Sequence, residues 1–177
     1  MILLVAPTPG ELAADGLVCG VGPVEAAART AAALAESRPA AVLHVGVAGA
    51  RTFAGPELVI GSEALYCDAN DAKWIALRIE PDGRLLEAAR RVLPDARVEP
   101  IGTSARLDGS AGCDVEAMEG YAVLRAAALA GVPALEVRVI SNAILEEDRS
   151  RWRLDDAKRL LAAAVPKLRA ELERAYP

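Results

Sequence analysis

Aromatic residues, histidine and cysteine are all scarce in this 177-residue chain. Aromatic side chains make up 3% of it, and it contains one histidine and three cysteines. The single histidine, His44, cannot build a histidine-based metal site, and no two cysteines have the spacing of a zinc motif. Because the cysteines are scattered and odd in number, a disulfide framework is not expected either. The sequence therefore predicts no metal site.

Excess positive charge and long apolar runs are missing as well. The formal net charge of -5 offers no basic surface to nucleic acid or to an anionic membrane. No apolar run approaches the roughly 20 residues that a membrane helix needs. The apolar start of the chain has no basic flank and is too short for a signal peptide. We therefore expect a cytoplasmic protein that binds neither nucleic acid nor membranes.

Hydrophobic residues are abundant, at 53% of the chain, and most of them are alanine, valine and leucine. This composition and length favour one α/β domain spanning residues 1–177, with a mixed, mostly parallel central sheet flanked by helices. Short apolar runs and helical periodicity locate the elements. Strands are predicted at Ile2–Ala6, Leu17–Val21, Ala41–Val45, Leu58–Tyr66, Trp74–Ile79, Val98–Thr103 and Ala134–Ile140, and helices at Pro23–Ser37, Asp82–Val92, Met118–Ala130 and Asp155–Glu173. Pro166 should kink or split the last helix.

A glycine-containing turn, Gly20-Val21-Gly22-Pro23, precedes the first predicted helix. A strand, glycines and a helix in this order invite a dinucleotide-binding interpretation. However, Glu25 occupies the position of the third glycine, and Pro23 is typical of the first turn of a helix. We therefore predict no nucleotide cofactor. His44 lies inside an apolar strand, where a core histidine bonded to the backbone is the simplest interpretation.

Polar side chains stand where predicted strands end and predicted helices begin. Glu11 follows the first strand, Glu116 and Glu119 open the helix predicted from Met118, and Asn142 ends the strand that follows it. In open α/β sheets, ligands usually bind at such positions. Each residue also has a structural alternative, because glutamates stabilise helix N-termini and asparagines favour turns. The segment from Gly112 to Asn142 is thus expected to form half of a small-molecule site.

The order of these motifs resembles the purine nucleoside phosphorylase and nucleosidase superfamily. The resemblance rests on V-G-V-A-G, V-E-A-M-E-G and R-V-I-S-N, in this order, and covers nearly the whole chain. The sequence D-R-S-R-W after Ser141-Asn142 is most similar to futalosine hydrolases, which remove hypoxanthine from a nucleoside intermediate of menaquinone biosynthesis. The resemblance implies a three-layer nucleoside phosphorylase fold, a purine nucleoside substrate, no cofactor and a homo-oligomer.

The resemblance also implies roles for individual residues. Met118 and Glu119 would contact the ribose, and Glu11 would hold and deprotonate water. Arg138 would orient that water or pair with a carboxylate, and Asn142 would face the purine. Further substrate contacts are implied for Ala48, Gly49, Arg106, Leu107 and Ser141.

Several alternatives remain open at this stage. The related methylthioadenosine/S-adenosylhomocysteine nucleosidases carry aspartate at the position of Asn142. A phosphorylase would use Arg51 or Arg106 for phosphate, although His44 and Val47 stand where bacterial phosphorylases of this fold place arginine and serine. Because the segment after Glu11 is short, a noncatalytic nucleoside-binding or scaffold protein of the same fold is a third hypothesis.

Two smaller expectations concern the rim of the site. Arg106, Lys73 and Arg149 are candidate partners for a carboxylate on the 5′ side of the substrate, since futalosine carries one. Trp152 could cover the base or pack against the last helix, and packing is the preferred interpretation.

Overall fold

A computed structural model describes residues 1–53, 55–70 and 73–176 of the chain as one mixed β-sheet with helices on both faces. The helices are α1 (Pro23–Ser37), α2 (Gly83–Val92), α3 (Gly120–Leu129) and α4 (Leu154–Ala175), with a 3₁₀ turn at Arg149–Arg151. The strands are β1 (Ile2–Ala6), β2 (Leu17–Val18), β3 (Ala41–Ala50), β4 (Leu58–Tyr66), β5 (Arg78–Ile79), β6 (Arg97–Thr103), β7 (Val115–Ala117) and β8 (Ala134–Ala143).

The sheet combines parallel and antiparallel pairing and partly closes on itself. Parallel ladders join β1 to β2 and β3, β3 to β8, and β6 to β4 and β7. Antiparallel ladders join β7 to β3, and β4 to both β5 and β8. In the described part of the chain, β3, β7, β6, β4 and β8 therefore pair in a closed circuit, and β1 and β2 extend the sheet beyond β3.

The hydrophobic core has three parts. Two of them lie on the two faces of the sheet, because alternate strand residues point to opposite faces, and the third lies inside the closed circuit of strands. One face packs against α2 and α4, where Leu43, Leu135 and Leu168 are fully buried. The other face packs against α1 and α3 through Val42 and neighbouring apolar residues. A third cluster, which includes Ile101, lies among the strands of the closed circuit. Two helix layers thus enclose the sheet, and the predicted fold class is confirmed.

The start of α1 is fixed by its local sequence. Gly22 has φ of 91°, a conformation that a residue with a side chain rarely adopts, and Pro23 supplies the first helical position. As the N-cap residue, Gly22 has an N–H group with no partner within α1, and this group donates to the carboxylate of Glu119. The beginning of α1 is thereby tied to the beginning of α3.

Several element predictions were wrong in their bounds, including the strand predicted over Leu17–Val21, which is reduced to Leu17–Val18. Glu116 does not open a helix, because it lies on β7, and α3 begins at Gly120 with Glu119 as its N-cap residue. The strand predicted to end at Val45 continues to Ala50, and the strand predicted over Trp74–Ile79 is reduced to Arg78–Ile79. Pairing between distant segments explains β7 and the extension of β3 to Ala50.

The last helix is continuous, and no described helix could span a membrane. Pro166 does not split α4, which runs without interruption, and this proline is exposed, so its ring faces away from the core. Among the described residues, no helix is long and apolar enough to cross a membrane.

Candidate active site

A cavity of about 160 Å³ lies where the carboxyl ends of β1, β3 and β8 meet the start of α3. Its walls come from segments that are far apart in the sequence, and apolar atoms dominate them. The lining residues are Pro7, Glu11, Val21, Val47, Ala48, Gly49, Leu107, Glu116, Ala117, Met118, Glu119, Ser141, Asn142, Ile144 and Trp152.

Glu11 enters the cavity from the loop after β1. Its carboxylate accepts hydrogen bonds from the hydroxyl of Thr8 at 2.6 Å and from the N–H of Val47 at 2.8 Å. These two donors fix the carboxylate in a nearly buried position. A carboxylate held in this way retains lone pairs that can accept a proton from a bound water molecule.

Glu119 projects from the start of α3 and is also nearly buried. One carboxylate oxygen accepts the N–H of Gly22 at 3.1 Å, and the other lies 3.3 Å from Nη2 of Arg138. As the N-cap of α3, Glu119 lies at the positive end of the helix dipole, where a negative charge is favoured. The carboxylate is therefore held in place and can accept further hydrogen bonds from a ligand.

Arg138 lies behind the cavity wall and is completely buried. Its Nε donates to Glu136 at 2.7 Å, and its Nη2 lies 2.6 Å from Nε2 of His44. Burial disfavours the charged guanidinium, but the carboxylates of Glu136 and Glu119 outweigh this cost and raise the pKa of Arg138. Arg138 is thus a fixed cation beside the anionic side of the cavity.

His44 is the core histidine that the sequence predicts, with Nδ1 positioned 3.1 Å from the carbonyl oxygen of Val5. Burial and the charge of Arg138 lower the pKa of His44 well below its usual value. A neutral imidazole that donates from Nδ1 can accept only at Nε2, which is the atom that faces Arg138. His44 therefore supports the guanidinium and does not line the cavity.

Ser141 and Asn142 form the polar end of β8. The Ser141 hydroxyl donates to Oδ1 of Asn142 at 2.7 Å, and Nδ2 of Asn142 donates to the carbonyl of Ala143 at 2.9 Å. A flipped amide would place two oxygens against each other at Ala143, so this contact sets the orientation of the side chain. Gly49 also leaves room for this side chain, because a Cβ there would lie 3.2 Å from Nδ2, which is a tight contact. One amide N–H and part of Oδ1 remain available to a ligand.

Glu116 has a structural position in the site. Its two carboxylate oxygens accept the backbone N–H groups of Asp108 and Ser110, each at 2.8 Å. These bonds hold the loop between β6 and β7 against the sheet, and the loop brings Leu107 to the cavity. Glu116 thus shapes the wall of the cavity, but both of its carboxylate oxygens already accept hydrogen bonds from the loop.

The structure brings most of the sequence-predicted site residues together. The predicted residues that line the cavity are Glu11, Ala48, Gly49, Leu107, Met118, Glu119, Ser141 and Asn142. Arg138 is not a lining residue and reaches the site only through its partners. Arg106 is exposed on the loop and lies outside the lining, so the geometry gives it no place against a ligand in this cavity.

Sequence reasoning missed several apolar wall residues. Val21 and Ile144 directly follow polar or glycine motifs, but only tertiary packing turns their side chains toward the cavity. Trp152 was expected to pack against the last helix. Instead it lines the cavity, with its indole N–H donating to the carbonyl of Glu146 at 2.9 Å. Its D-R-S-R-W context was the one available signal.

A second cavity, of about 370 Å³, adjoins the first. The two share Leu107, Ile144 and Trp152, so a ligand in the inner cavity can extend outward between these side chains. Arg149 lines the outer cavity and lies over the ring of Trp152, with 5.6 Å between the guanidinium carbon and the ring centroid. Among the candidate cations for a substrate carboxylate, Arg149 is the one placed in this lining.

Comparison with known proteins identifies similar sequences. Residues 99–175 match the model of the phosphorylase superfamily. Futalosine hydrolase from Streptomyces coelicolor is 34% identical over 195 aligned residues, which cover 92% of this chain and 81% of that protein.

Solved structures show the same fold at low sequence identity. Futalosine hydrolase from Helicobacter pylori has a TM-score of 0.84 at 15% identity, covering 96% of this chain and 97% of that one. S-adenosylhomocysteine nucleosidase from Streptococcus pyogenes, solved with 5-methylthiotubericidin, has a TM-score of 0.82 at 19% identity, covering 94% of each chain. Together with the sequence relative, these matches show that the chain belongs to the phosphorylase superfamily, within its nucleosidase family of N-glycosyl hydrolases.

Proposed function

We propose that the protein hydrolyses the N-glycosidic bond of a purine nucleoside, with water as the nucleophile and futalosine as the substrate. The observation that carries the proposal is the convergence of Glu11, Glu119 and Asn142 on one cavity. Bond cleavage develops positive charge on the ribose and negative charge on the departing purine. Two carboxylates and an amide in the lining of a largely apolar cavity suit this charge separation.

Glu119 and Glu11 have different tasks in this proposal. Glu119, with Met118 beside it, accepts hydrogen bonds from the ribose hydroxyls and stabilises the developing cation. Glu11 holds a water molecule and takes its proton as the water attacks the anomeric carbon. The geometry supports this division because each carboxylate is fixed by donors from different segments of the chain.

Asn142 is assigned to the purine. Its free amide N–H can donate to the 6-oxo group, while Oδ1 can accept from N7–H as the base leaves. An asparagine cannot supply a proton, so N7 is protonated by solvent in this scheme. This pattern favours a 6-oxopurine such as hypoxanthine over adenine.

Water is a better nucleophile than phosphate for this cavity, because the described lining contains no lysine or arginine. The N–H of Val47 is already bound by Glu11. Arg51 is engaged by the carbonyl of Cys113 at 2.9 Å and by Asp108 at 3.1 Å. A dianionic phosphate would therefore meet carboxylates without a cation to bind it.

Futalosine is the preferred substrate for two reasons. The curated relative that is 34% identical is a futalosine hydrolase. The outer cavity also gives a long 5′ substituent room beside Trp152, where Arg149 supplies a cation for its carboxylate among the lining residues Asp108, Glu146 and Glu147. A methylthioadenosine-type substrate is the alternative, and Asn142 counts against it.

The function is tested by Glu11→Gln. The amide keeps the shape of the side chain but cannot take a proton, so kcat should fall by about 10²-fold or more while KM for the nucleoside stays within about threefold. Base release measured by chromatography gives both constants. Glu36→Gln, on the exposed end of α1, is the matched control and should behave like the wild type. A parallel loss in binding and turnover would contradict the role of Glu11 as a base.

A homo-oligomer and a cytoplasmic location are also part of the proposal. The α1–α3 face, defined by Val24, Ala27, Tyr121, Ala126 and Leu129, is apolar and forms a groove. Val24 and Leu129 are 75% and 73% exposed, which supports a homo-oligomer that covers them. The cytoplasmic location stays a prediction from the sequence.

A further inference from the structure

Glu136 is a buried carboxylate that the proposed chemistry does not use. It lies on β8 two residues before Arg138, so both side chains point to the same face of the strand. Oε1 of Glu136 accepts Nε of Arg138 at 2.7 Å, and both residues are essentially inaccessible. Its other oxygen, Oε2, has no hydrogen-bond partner among the described residues.

Charge balance alone does not explain this carboxylate. Arg138 already faces Glu119, and Glu11 contributes a further negative charge nearby. Burying a second carboxylate with one unpartnered oxygen is costly, and burial raises the pKa of Glu136 even though Arg138 opposes the shift. Because burying this carboxylate costs free energy, neutralising the guanidinium does not by itself account for its position.

The start of α3 is shaped around Glu136. A Cβ at position 120 would overlap both carboxylate oxygens of Glu136, so Gly120 is required for the helix to begin this close to β8. Gly120 directly follows Glu119. The carboxylate of Glu136 therefore lies between the guanidinium of Arg138 and the helix start that carries Glu119.

His44 fixes the other end of the guanidinium. Its Nε2 accepts Nη2 at 2.6 Å, while Nδ1 is bound to the carbonyl of Val5. A guanidinium is planar, so contacts at Nε and Nη2 together define the plane of the group. The remaining hydrogen of Nη2 then points to Oε2 of Glu119, 3.3 Å away.

We propose that Glu136 is a positioning residue, which sets the plane of the Arg138 guanidinium and thereby the carboxylate of Glu119 that binds the sugar. The inference rests on the proposed function, because it assigns the ribose hydroxyls to Glu119. Glu136 itself touches no substrate. Its effect on catalysis passes through Arg138.

The test compares Glu136→Leu with the wild type on inosine and on 2′,3′-dideoxyinosine, which lacks the hydroxyls that Glu119 would bind. Loss of the Nε acceptor should lower kcat/KM for inosine by about 10- to 100-fold, because a displaced carboxylate loses its alignment with the ribose. For the dideoxynucleoside the loss should be less than about threefold, since that contact is already absent. Glu136→Gln, which keeps an acceptor for Nε, should restore most of the inosine activity.

Two further variants keep the test decisive. Glu136→Asp withdraws the carboxylate from Nε but keeps its charge, and it should show the same selective loss if the leucine variant does not fold. Glu63→Gln removes a strand glutamate paired with Arg78 at 3.5 Å, outside the cavity, and should leave both substrates unaffected. Equal losses on the two nucleosides, or no loss on inosine, would overturn the proposal.

A crystal structure of the folded Glu136 variant separates this inference from the proposed function. The distance from Nη2 of Arg138 to Oε2 of Glu119 should increase beyond hydrogen-bonding range. An unchanged distance would overturn the positioning role. If the distance increases but the wild type releases no base from any nucleoside, the coupling of Glu136 to Glu119 stands and the proposed function fails.

Discussion

Asn142 shows how far a single residue can be understood from the chain around it. The sequence places it at the end of a buried strand, and the family resemblance assigns it to the purine. The structure adds the hydroxyl of Ser141 and the carbonyl of Ala143, which fix the direction of the amide. Because the amide is fixed before a ligand binds, its contribution to base selectivity should be large.

The prediction at this scale concerns base selectivity. Asn142→Ala should lower hypoxanthine release by about 10²-fold, comparable to the loss of one preorganised hydrogen-bond donor at a developing charge. Asn142→Asp should also lower hypoxanthine release and should admit adenine nucleosides. Both rates are measured as base release from inosine and methylthioadenosine. Asn70→Ala removes an amide from an exposed position outside the cavity and serves as the control. Unchanged hypoxanthine release in Asn142→Ala would show that the residue is wrongly assigned.

Arg138 marks the limit of prediction at the residue scale. Its family motif predicts water orientation or carboxylate pairing, and the structure has it paired with Glu119 and Glu136. Nothing in the pattern L-E-V-R distinguishes a charged pair buried behind a site from one that lines it. The buried position of Arg138 depends on Gly46. A Cβ on residue 46 would overlap Nη1 of Arg138 and would lie 2.9 Å from Oε2 of Glu11.

At the scale of elements, the sequence predicts the bounds of those helices and strands that neighbouring residues determine. The strand at Leu58–Tyr66 and the helix at Pro23–Ser37 have the predicted bounds, because an apolar run and a proline at the first helical position are local signals. The short strand β7 was missed, because three residues are too few to show a period. It exists only because Val115 pairs with both Ala50 and Ile101.

Glycines explain why the end of β3 was predicted wrongly. Gly46 and Gly49 look like a turn in the sequence, yet they continue β3 to Ala50. A Cβ at Gly46 would overlap the side chain of Arg138 on the neighbouring strand, and a Cβ at Gly49 would lie in tight contact with Asn142. Such contacts join residues about 90 positions apart, so no local pattern reveals them.

At the scale of the whole molecule, the described residues leave an apolar face uncovered on α1 and α3. It begins at Pro23, two residues after Val21, which lines the cavity. A second copy of the chain on this face would therefore also cover one edge of the site. The homo-oligomer expected from the family resemblance and the position of this groove support each other.

We expect the solution mass, measured by light scattering, to be a multiple of the 18.5 kDa chain. Val24→Glu combined with Leu129→Glu should shift it to that of the monomer, because two buried and unpaired charges oppose association. Leu145→Glu changes a similarly exposed side chain away from the face and should leave the mass unchanged. A wild-type mass of 18.5 kDa would contradict the oligomer, and an unchanged mass in the double variant would place the interface elsewhere.

The central claim is that this cavity directs water to the anomeric carbon of a purine nucleoside. It is tested most directly by incubating the wild-type protein with futalosine, inosine and methylthioadenosine in ¹⁸O-labelled water, with and without inorganic phosphate, and analysing the products by mass spectrometry. We predict release of hypoxanthine, fastest from futalosine, at the same rate with or without phosphate, with the label on the anomeric hydroxyl of the sugar. Base release that requires phosphate and yields a sugar 1-phosphate would contradict the account, as would the absence of base release from all three nucleosides.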